Sequence, residues 1–332
     1  MTIRILLNGK KAGLEPVRAA ILAARKHGNV EVRVTFEGGD IDRLVAEAVA
    51  DACPRLVAAG GDGTVNECVS ALMRFDEAKR PELAIMPLGT ANDFATACTI
   101  PIELEQALRL AQTGEARAID CVKVIAAAEG AEHADGSSFV DGCSFAEGSS
   151  FAEGSSLTEG SARYFINVAS GGFGAKVTAE TPVALKNFLG GGAYTLAGIV
   201  QALSFAPYQG TIRLPNQHSQ EHVIVGAICN GRQAGGGQQL APKAMLNNGL
   251  LDTIALRHFP MEALPQVLSE LANQDTDGEY VRRIRTPWVE WHSDEVMPIN
   301  LDGEPIAACR IRFEAIPAAI KLVLPTQCSL LR

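Results

Sequence analysis

Residues 55–72 read RLVAAGGDGTVNECVSAL, and the three parts of this stretch decide the fold. The apolar run at 56–59 suits a strand buried on both faces of a parallel sheet. Val65, Val69, Leu72 and the next residue, Met73, recur at helical spacing. Between them lie Gly60, Gly61, Asp62, Gly63 and Thr64. A strand that enters a helix through glycines leaves backbone N–H groups exposed at the helix N-terminus. The helix dipole is positive there, so such a turn can hold phosphate. The Thr64 hydroxyl is placed to cap the helix. Asp62 adds a condition. A carboxylate beside a phosphate cradle repels the phosphate unless a cation lies between, which points to a Mg²⁺-nucleotide. The GxxxxGK[ST] and GxGxxG patterns are both absent. The plainer alternative is a tight turn that uses glycine for steric reasons alone.

A second segment repeats the design. The apolar run at 83–86 leads into PLGTANDF at 87–94, again a strand ending in a turn rich in Gly, Thr, Asn and Asp. Turns at successive strand ends share one edge of a parallel sheet, the edge at which open α/β sheets bind ligands. Asn92 and Asp93 could serve there or simply close Asx-turns.

Upstream, residues 3–7 form a strand that ends at Asn8-Gly9-Lys10. Pro16 opens a helix with Val17, Ala20, Ile21 and Ala24 on one face. Residues 30–36 alternate as a half-buried strand with Thr35 near its end. Asp40 caps a helix with Leu44, Val45, Ala48 and Val49 inward. A helix over about 103–113 closes at Gly114. This β-α-β-α-β-α-β order predicts a doubly wound parallel sheet. From residue 118 the pattern changes to short strands with few helices, which predicts a mainly antiparallel β-sandwich. The expected units are 1–120, open to being rejoined by 315–332, and 121–314. Within the second, DGSSFV, DGCSFA, EGSSFA and EGSSLT repeat every six residues from Asp135. About four copies are too few for a solenoid, and the Gly/Ser/acid composition favours a flexible loop inserted over about 129–161.

The chain has 332 residues, 47% hydrophobic and 20% charged, with a net charge of −9. Bulk attraction to nucleic acid or anionic membrane is therefore not expected. No cysteine or histidine spacing suggests zinc. No apolar run is long enough to span a bilayer, and no leader signature stands at Met1. The expected location is cytoplasmic, with any lipid reached from the water side.

GGDGTVNE at 60–67 followed by PLGTANDFA at 87–95 resembles the diacylglycerol kinase catalytic family. INVASGGFG at 166–174, CNGRQAGGGQQLAPKA at 229–244 and NLDGEP at 300–305 narrow the resemblance to the YegS-type bacterial lipid kinases. It implies a Rossmann-like, phosphofructokinase-like α/β domain followed by a β-sandwich. It implies ATP as phosphoryl donor, Mg²⁺ as metal with Ca²⁺ as the alternative ion, and nucleotide contacts at Thr35, Gly61, Asp62, Gly63, Thr64, Val65, Asn66, Glu67 and Thr90. It further implies Glu304 as proton acceptor, with Asp302 in support; on spacing alone, the Asp-Gly there is equally a β-turn. A structural metal would sit on Met245, Asn248 and Leu250, largely through backbone carbonyls. The family usually has aspartate where Asn248 stands, and an amide lacks its charge, so this metal site should be weaker or lost; Asp252 is close enough to help. The implied acceptor is a membrane lipid, phosphatidylglycerol or diacylglycerol, met transiently at the inner face of the membrane; the residues themselves specify only a hydroxyl. An NAD kinase-like enzyme shares GGDGT, but PLGTANDFA and DGE match the lipid branch. The glycine runs at 171–174 and 235–237 suit either headgroup approach or strand bulges. The apolar stretch 190–205 suits a core helix better than a membrane-docking one.

Overall fold

Four strands carry the first half of the molecule: β1 (Thr2–Asn8), β2 (Asn29–Thr35), β3 (Arg55–Gly60) and β4 (Glu82–Pro87). They pair in parallel in the order β2-β1-β3-β4. The structure is a computed structural model that describes residues 2–126, 162–172, 206–274 and 276–332. The hexad repeat and the apolar stretch 190–205 lie outside the described residues. β1 and β3 are buried along nearly their whole length because both faces are covered. On one face, α1 (Glu15–Arg25) and α5 (Leu104–Thr113) set Val17, Ile21 and Leu108 against Ile3, Ile5 and Val57. On the other, α2 (Asp40–Ala50), α3 (Asp62–Leu72) and α4 (Asp93–Ala97) set Leu44, Val65, Val69 and Phe94 against Leu6, Leu56 and Leu83.

Two of the expected caps act differently. Asp40 is the first residue of α2, and its carboxylate accepts from the Phe36 and Glu37 N–H groups at 2.7 and 3.2 Å. It thus fastens the β2–α2 loop instead of the helix end. Those bonds, with the Arg43 guanidinium, hold its carboxyl down to about 2. Thr64 is no cap either. Gly61 occupies the N-cap position without a side-chain bond, and Thr64 lies buried within the first turn. Glu103 does cap α5, accepting from the Glu105 and Gln106 N–H groups.

The second half is antiparallel. Its elements are β5 (Glu115–Ala126), β6 (Ala162–Phe165), β7 (Val168–Gly172), β8 (Tyr208–Leu214), β9 (Gln217–Cys229), β10 (Gln233–Ala234), β11 (Gln238–Gln239), β12 (Leu251–Arg257), α6 (Leu264–Ala272), β13 (Val281–Thr286), β14 (Trp288–Leu301) and β15 (Glu304–Leu324). β10 and β11 form a small hairpin of their own. β8 bridges β9 and β14, wrapping the strands round a core that includes Phe165, Val289, Trp291 and Phe313. β15 is the seam. Its first part pairs with β14, its later part with β5, and Leu322 meets Leu83 of β4. The strands therefore run as one sheet, β13-β12-β9-β7-β14-β15-β4-β3-β1-β2. Among the described residues no helix is long and apolar enough to cross a membrane.

Candidate active site

The two glycine turns meet at their backbones. A Cβ built on Gly89 would stand 2.7 Å from the Gly61 Cα and 2.8 Å from the Asn92 Oδ1, so only glycine lets the loops close to this distance. Asn92 stitches its own loop: its amide oxygen accepts from the Gly89 N–H at 2.8 Å, and its amide nitrogen donates to the Gly89 carbonyl at 2.9 Å. A Cβ on Gly63 would meet nothing within 4 Å. The start of α3 therefore leaves room where its unpaired N–H groups emerge, the arrangement a phosphate needs. Thr90 is exposed on the facing loop, and Thr35 sits at the same sheet edge at the end of β2, paired with Asn8.

Carboxylates join the loops to one another and to the second half of the chain. Asp62 accepts from the Asp93 and Phe94 N–H groups at 3.1 and 3.0 Å, so it caps α4. Each oxygen keeps a further lone pair for a cation. Asp93 in turn accepts from the Gly236 and Gly237 N–H groups at 2.8 and 2.6 Å, and Gln233 donates to the Asp93 carbonyl. The glycine run 235–237 is thus held by a carboxylate of the first half. Val65 is fully committed to the core. Asn66 is 1% exposed, and neither end of its amide has a partner within the protein.

The DGE turn lies across α3. Asp302 and Gly303 both have positive φ, +48° and +103°, as a two-residue hairpin between β14 and β15 requires. Asp302 is occupied by scaffold work: its carboxylate accepts from the Ile166, Asn167 and Val168 N–H groups at 2.9, 3.0 and 2.7 Å. Burial pushes its carboxyl up to about 6 despite those bonds, and the charge of Asp62 adds to the rise. Glu304 opens β15 and faces a cleft of about 170 Å³ that it shares with Asp42, Glu67, Ser70, Arg74, Arg163 and Tyr164. Burial in this cleft, then Glu304, then Asp42, push the Glu67 carboxyl up. Ser70 donates to the Tyr164 carbonyl at 3.2 Å and so ties α3 to β6 beneath the cleft.

The segment with Met245, Asn248 and Leu250 wraps a different carboxylate. Asp120, 1% exposed, accepts from the Gly249 N–H at 2.6 Å and from the Ala318 N–H at 3.0 Å. In a trans peptide the carbonyl points opposite to the N–H, so the Asn248 carbonyl is turned away from Asp120. The Asn248 side-chain oxygen is spent on the Leu250 N–H at 2.9 Å. The Asn248 carbonyl is thus left clear of Asp120, and the Asn248 side chain brings no charge to the turn. Nearby Asp252 pairs one oxygen with Arg285, at 2.6 and 3.0 Å, while the other is buried without a partner.

The pairings that build the site were not legible in sequence spacing. Asp93 to Gly236, Asp302 to Ile166 and Asp120 to Ala318 each bridge more than 130 positions. Nor did spacing single out Asp42, Ser70, Arg74, Arg163 or Tyr164 of the cleft. A run of acids and glycines was the available signal, and it does not say which acid meets which glycine.

Known proteins resemble this chain along nearly its whole length. A family model described as the diacylglycerol kinase catalytic domain matches residues 2–124, and one described as the YegS C-terminal NAD kinase beta sandwich-like domain matches residues 167–324. A protein of Shewanella frigidimarina named "Probable lipid kinase YegS-like" is 42% identical over 328 residues, covering 98% of this chain and 94% of that protein. One of the same name from Pectobacterium atrosepticum is 41% identical, covering 98% and 97%. The solved structure of a diacylglycerol kinase from Bacillus anthracis str. Sterne shares the fold, with a TM-score of 0.69 and 98% coverage of both chains at 17% identity. With matches along nearly its whole length, the chain belongs to the YegS-type lipid kinases of the diacylglycerol kinase catalytic family.

Proposed function

We propose that the protein transfers the γ-phosphoryl group of ATP to a hydroxyl of a membrane lipid, phosphatidylglycerol or diacylglycerol, on a Rossmann-like, phosphofructokinase-like scaffold. One observation carries the reading: Glu304 faces a cleft along the same helix, α3, whose first turn is the glycine turn. A proton acceptor and a phosphate cradle thus share one element. The N–H groups at the start of α3 and the turn at Thr90 take the phosphates, with Thr35 at the outer edge toward the nucleoside. Asp62 keeps lone pairs for Mg²⁺, which when bound neutralises charge on the phosphates. Glu304 accepts the proton of the acceptor hydroxyl as its oxygen bonds to the γ-phosphorus and the bond to the bridging oxygen of ADP breaks. Asp302 holds the turn that aims Glu304, through its three bonds to the β6–β7 link. A second cation on the Met245, Asn248 and Leu250 carbonyls would fix the Asp120 turn. The enzyme works in the cytoplasm and touches the inner membrane face only while bound to its lipid.

The test is transfer of label from ATP to a lipid extract and, in parallel, to NAD. Label in lipid alone is expected; label in NAD alone would replace this reading with the NAD kinase-like one. In the same assay, Glu304→Gln should bind ATP as the wild type does and turn over roughly 10²-fold more slowly or worse. A variant at near-full rate would remove Glu304 from the mechanism.

A further inference from the structure

The segments that begin at Ile166 and Cys229 meet at Asn167 and Gln233. The Asn167 amide nitrogen donates to the Gln233 carbonyl at 2.9 Å. The Gln233 side chain donates in turn to the Asp93 carbonyl at 3.1 Å, and Asp93 gives its own N–H to Asp62. From its backbone, Asn167 donates to the Asp302 carboxylate at 3.0 Å. Asp302 returns its N–H to the Val168 carbonyl at 3.1 Å. Asn167 thus stands two hydrogen bonds from the loop that walls the phosphate cradle and one from the turn that carries Glu304.

The surroundings fix this side chain. Asn167, Gln233 and Asp93 are all buried, so water is not at hand to replace their bonds. The Asn230 and Gly231 N–H groups both donate to the Asn167 carbonyl at 2.9 Å. A Cβ on Gly231 would overlap the Asn167 Oδ1, so only glycine leaves the amide its place. Along the chain the connection is far longer. At 3.3 Å per residue, roughly 60 Å of β15 separates Glu304 from Leu322, where the strand meets β4. The bonds through Asn167 are the shorter tie between base and cradle.

We propose that Asn167 is a positioning residue for phosphoryl transfer: its side chain holds the Asp93 loop through Gln233, its backbone holds the Asp302 turn, and together they fix Glu304 against the phosphates. The inference rests on the lipid kinase reading above and deepens it. In-line transfer needs base, hydroxyl and γ-phosphorus in one arrangement, and a misplacement of about 1 Å costs on the order of 10²-fold in rate. Asn167 touches neither substrate. It acts through Glu304, and its effect should exist only while Glu304 is there to be placed.

The experiment is a double-mutant cycle in kcat, read as label transfer from ATP to a lipid extract in mixed micelles. It compares the wild type, Asn167→Ala, Glu304→Gln and the double variant. The slow rate of Glu304→Gln tests the kinase reading, and the comparison between backgrounds tests Asn167. Asn167→Ala should lower kcat about tenfold or more, with the KM for ATP and calorimetric ATP binding changed less than twofold. With Glu304→Gln in place, the same substitution should change kcat less than twofold, because an absent base cannot be misplaced further. A general loosening of the fold would cost the same factor in both backgrounds, and that result would overturn the proposal. So would a full rate in Asn167→Ala, or a loss confined to ATP affinity. A Glu304→Gln enzyme at near-full rate would remove the base from the reading and the proposal with it. Gln233→Met, which deletes the donor to Asp93 from the other side, should show the same dependence on Glu304, and it carries the test if Asn167→Ala does not fold.

Discussion

A methyl group at residue 89 would have to occupy space already held by the Gly61 Cα and the Asn92 Oδ1, at 2.7 and 2.8 Å. Neither neighbour can yield cheaply, because one is backbone and the other is fixed by two hydrogen bonds. Gly89→Ala should cost roughly 1–3 kcal/mol of stability and weaken ATP binding by parting the two loops; a melt and titration matching the wild type would show that the loops are not matched by shape. Asn248 offers the opposite kind of change. Its side chain brings no charge to the carbonyl turn, so Asn248→Asp should raise the melting temperature with millimolar Mg²⁺ or Ca²⁺ more than the wild type's rises. Equal shifts would place the cation elsewhere. Asp302 gives a pH signature in the nucleotide-free protein. Its carboxyl titrates near 6 in the fold against an ordinary 3.8, so between those values the folded state holds more proton than the unfolded chain. Stability from this group is complete below about pH 4 and is lost as pH rises through 6, by about 3 kcal/mol at most. Urea melts of wild type and Asp302→Asn should show the wild type's advantage shrinking over that window. An advantage that stays flat or grows with pH would refute the raised value.

At the scale of elements, sequence pattern and structure agree where the cause is local. The inward faces of α1 and α2 follow from a 3.6-residue period, and both show the burial that period predicts: Val17, Ala20, Ile21 and Ala24 in one, Leu44, Val45 and Ala48 in the other. The Asp-Gly of the β14–β15 hairpin has the positive φ that this dipeptide suits. Agreement fails where a side chain acts at a distance. Asp40 and Thr64 have the right chemistry for caps and the right position to within a residue or two. Yet one fastens the preceding loop and the other lies within the helix turn, because the competing donors and packing partners come from folding, not from spacing. Asp62 shows the same limit. Its place between glycines suggests a metal ligand, while the fold first uses it to cap α4. A residue can do both, since a carboxylate has more lone pairs than these two bonds consume. Only the three-dimensional arrangement reveals the first use.

At the scale of the whole molecule, β15 decides how the two halves behave together. A single strand of 21 residues contributes the proposed base at its first position and ends between β4 and β5. Leu322 is 0% exposed there, opposite Leu83 of β4 and Arg117 of β5. The backbone from this point to Glu304 stays in one strand, with a single irregularity between Ile316 and Ile320, where Ala318 has a φ of +53°. Leu322→Ala should cost about 2–5 kcal/mol, since the cavity it leaves lies in the seam and can close only by shifting strands of both halves. If the seam couples the halves, the variant and the wild type both unfold in one transition, and hydrogen exchange speeds up together in β3, β4, β5 and β14. Should protection be lost in β3 and β4 alone, or a second transition split off in urea, the halves are independent units and the placement of Glu304 over α3 must be secured by the Asp93 and Asp302 bonds instead.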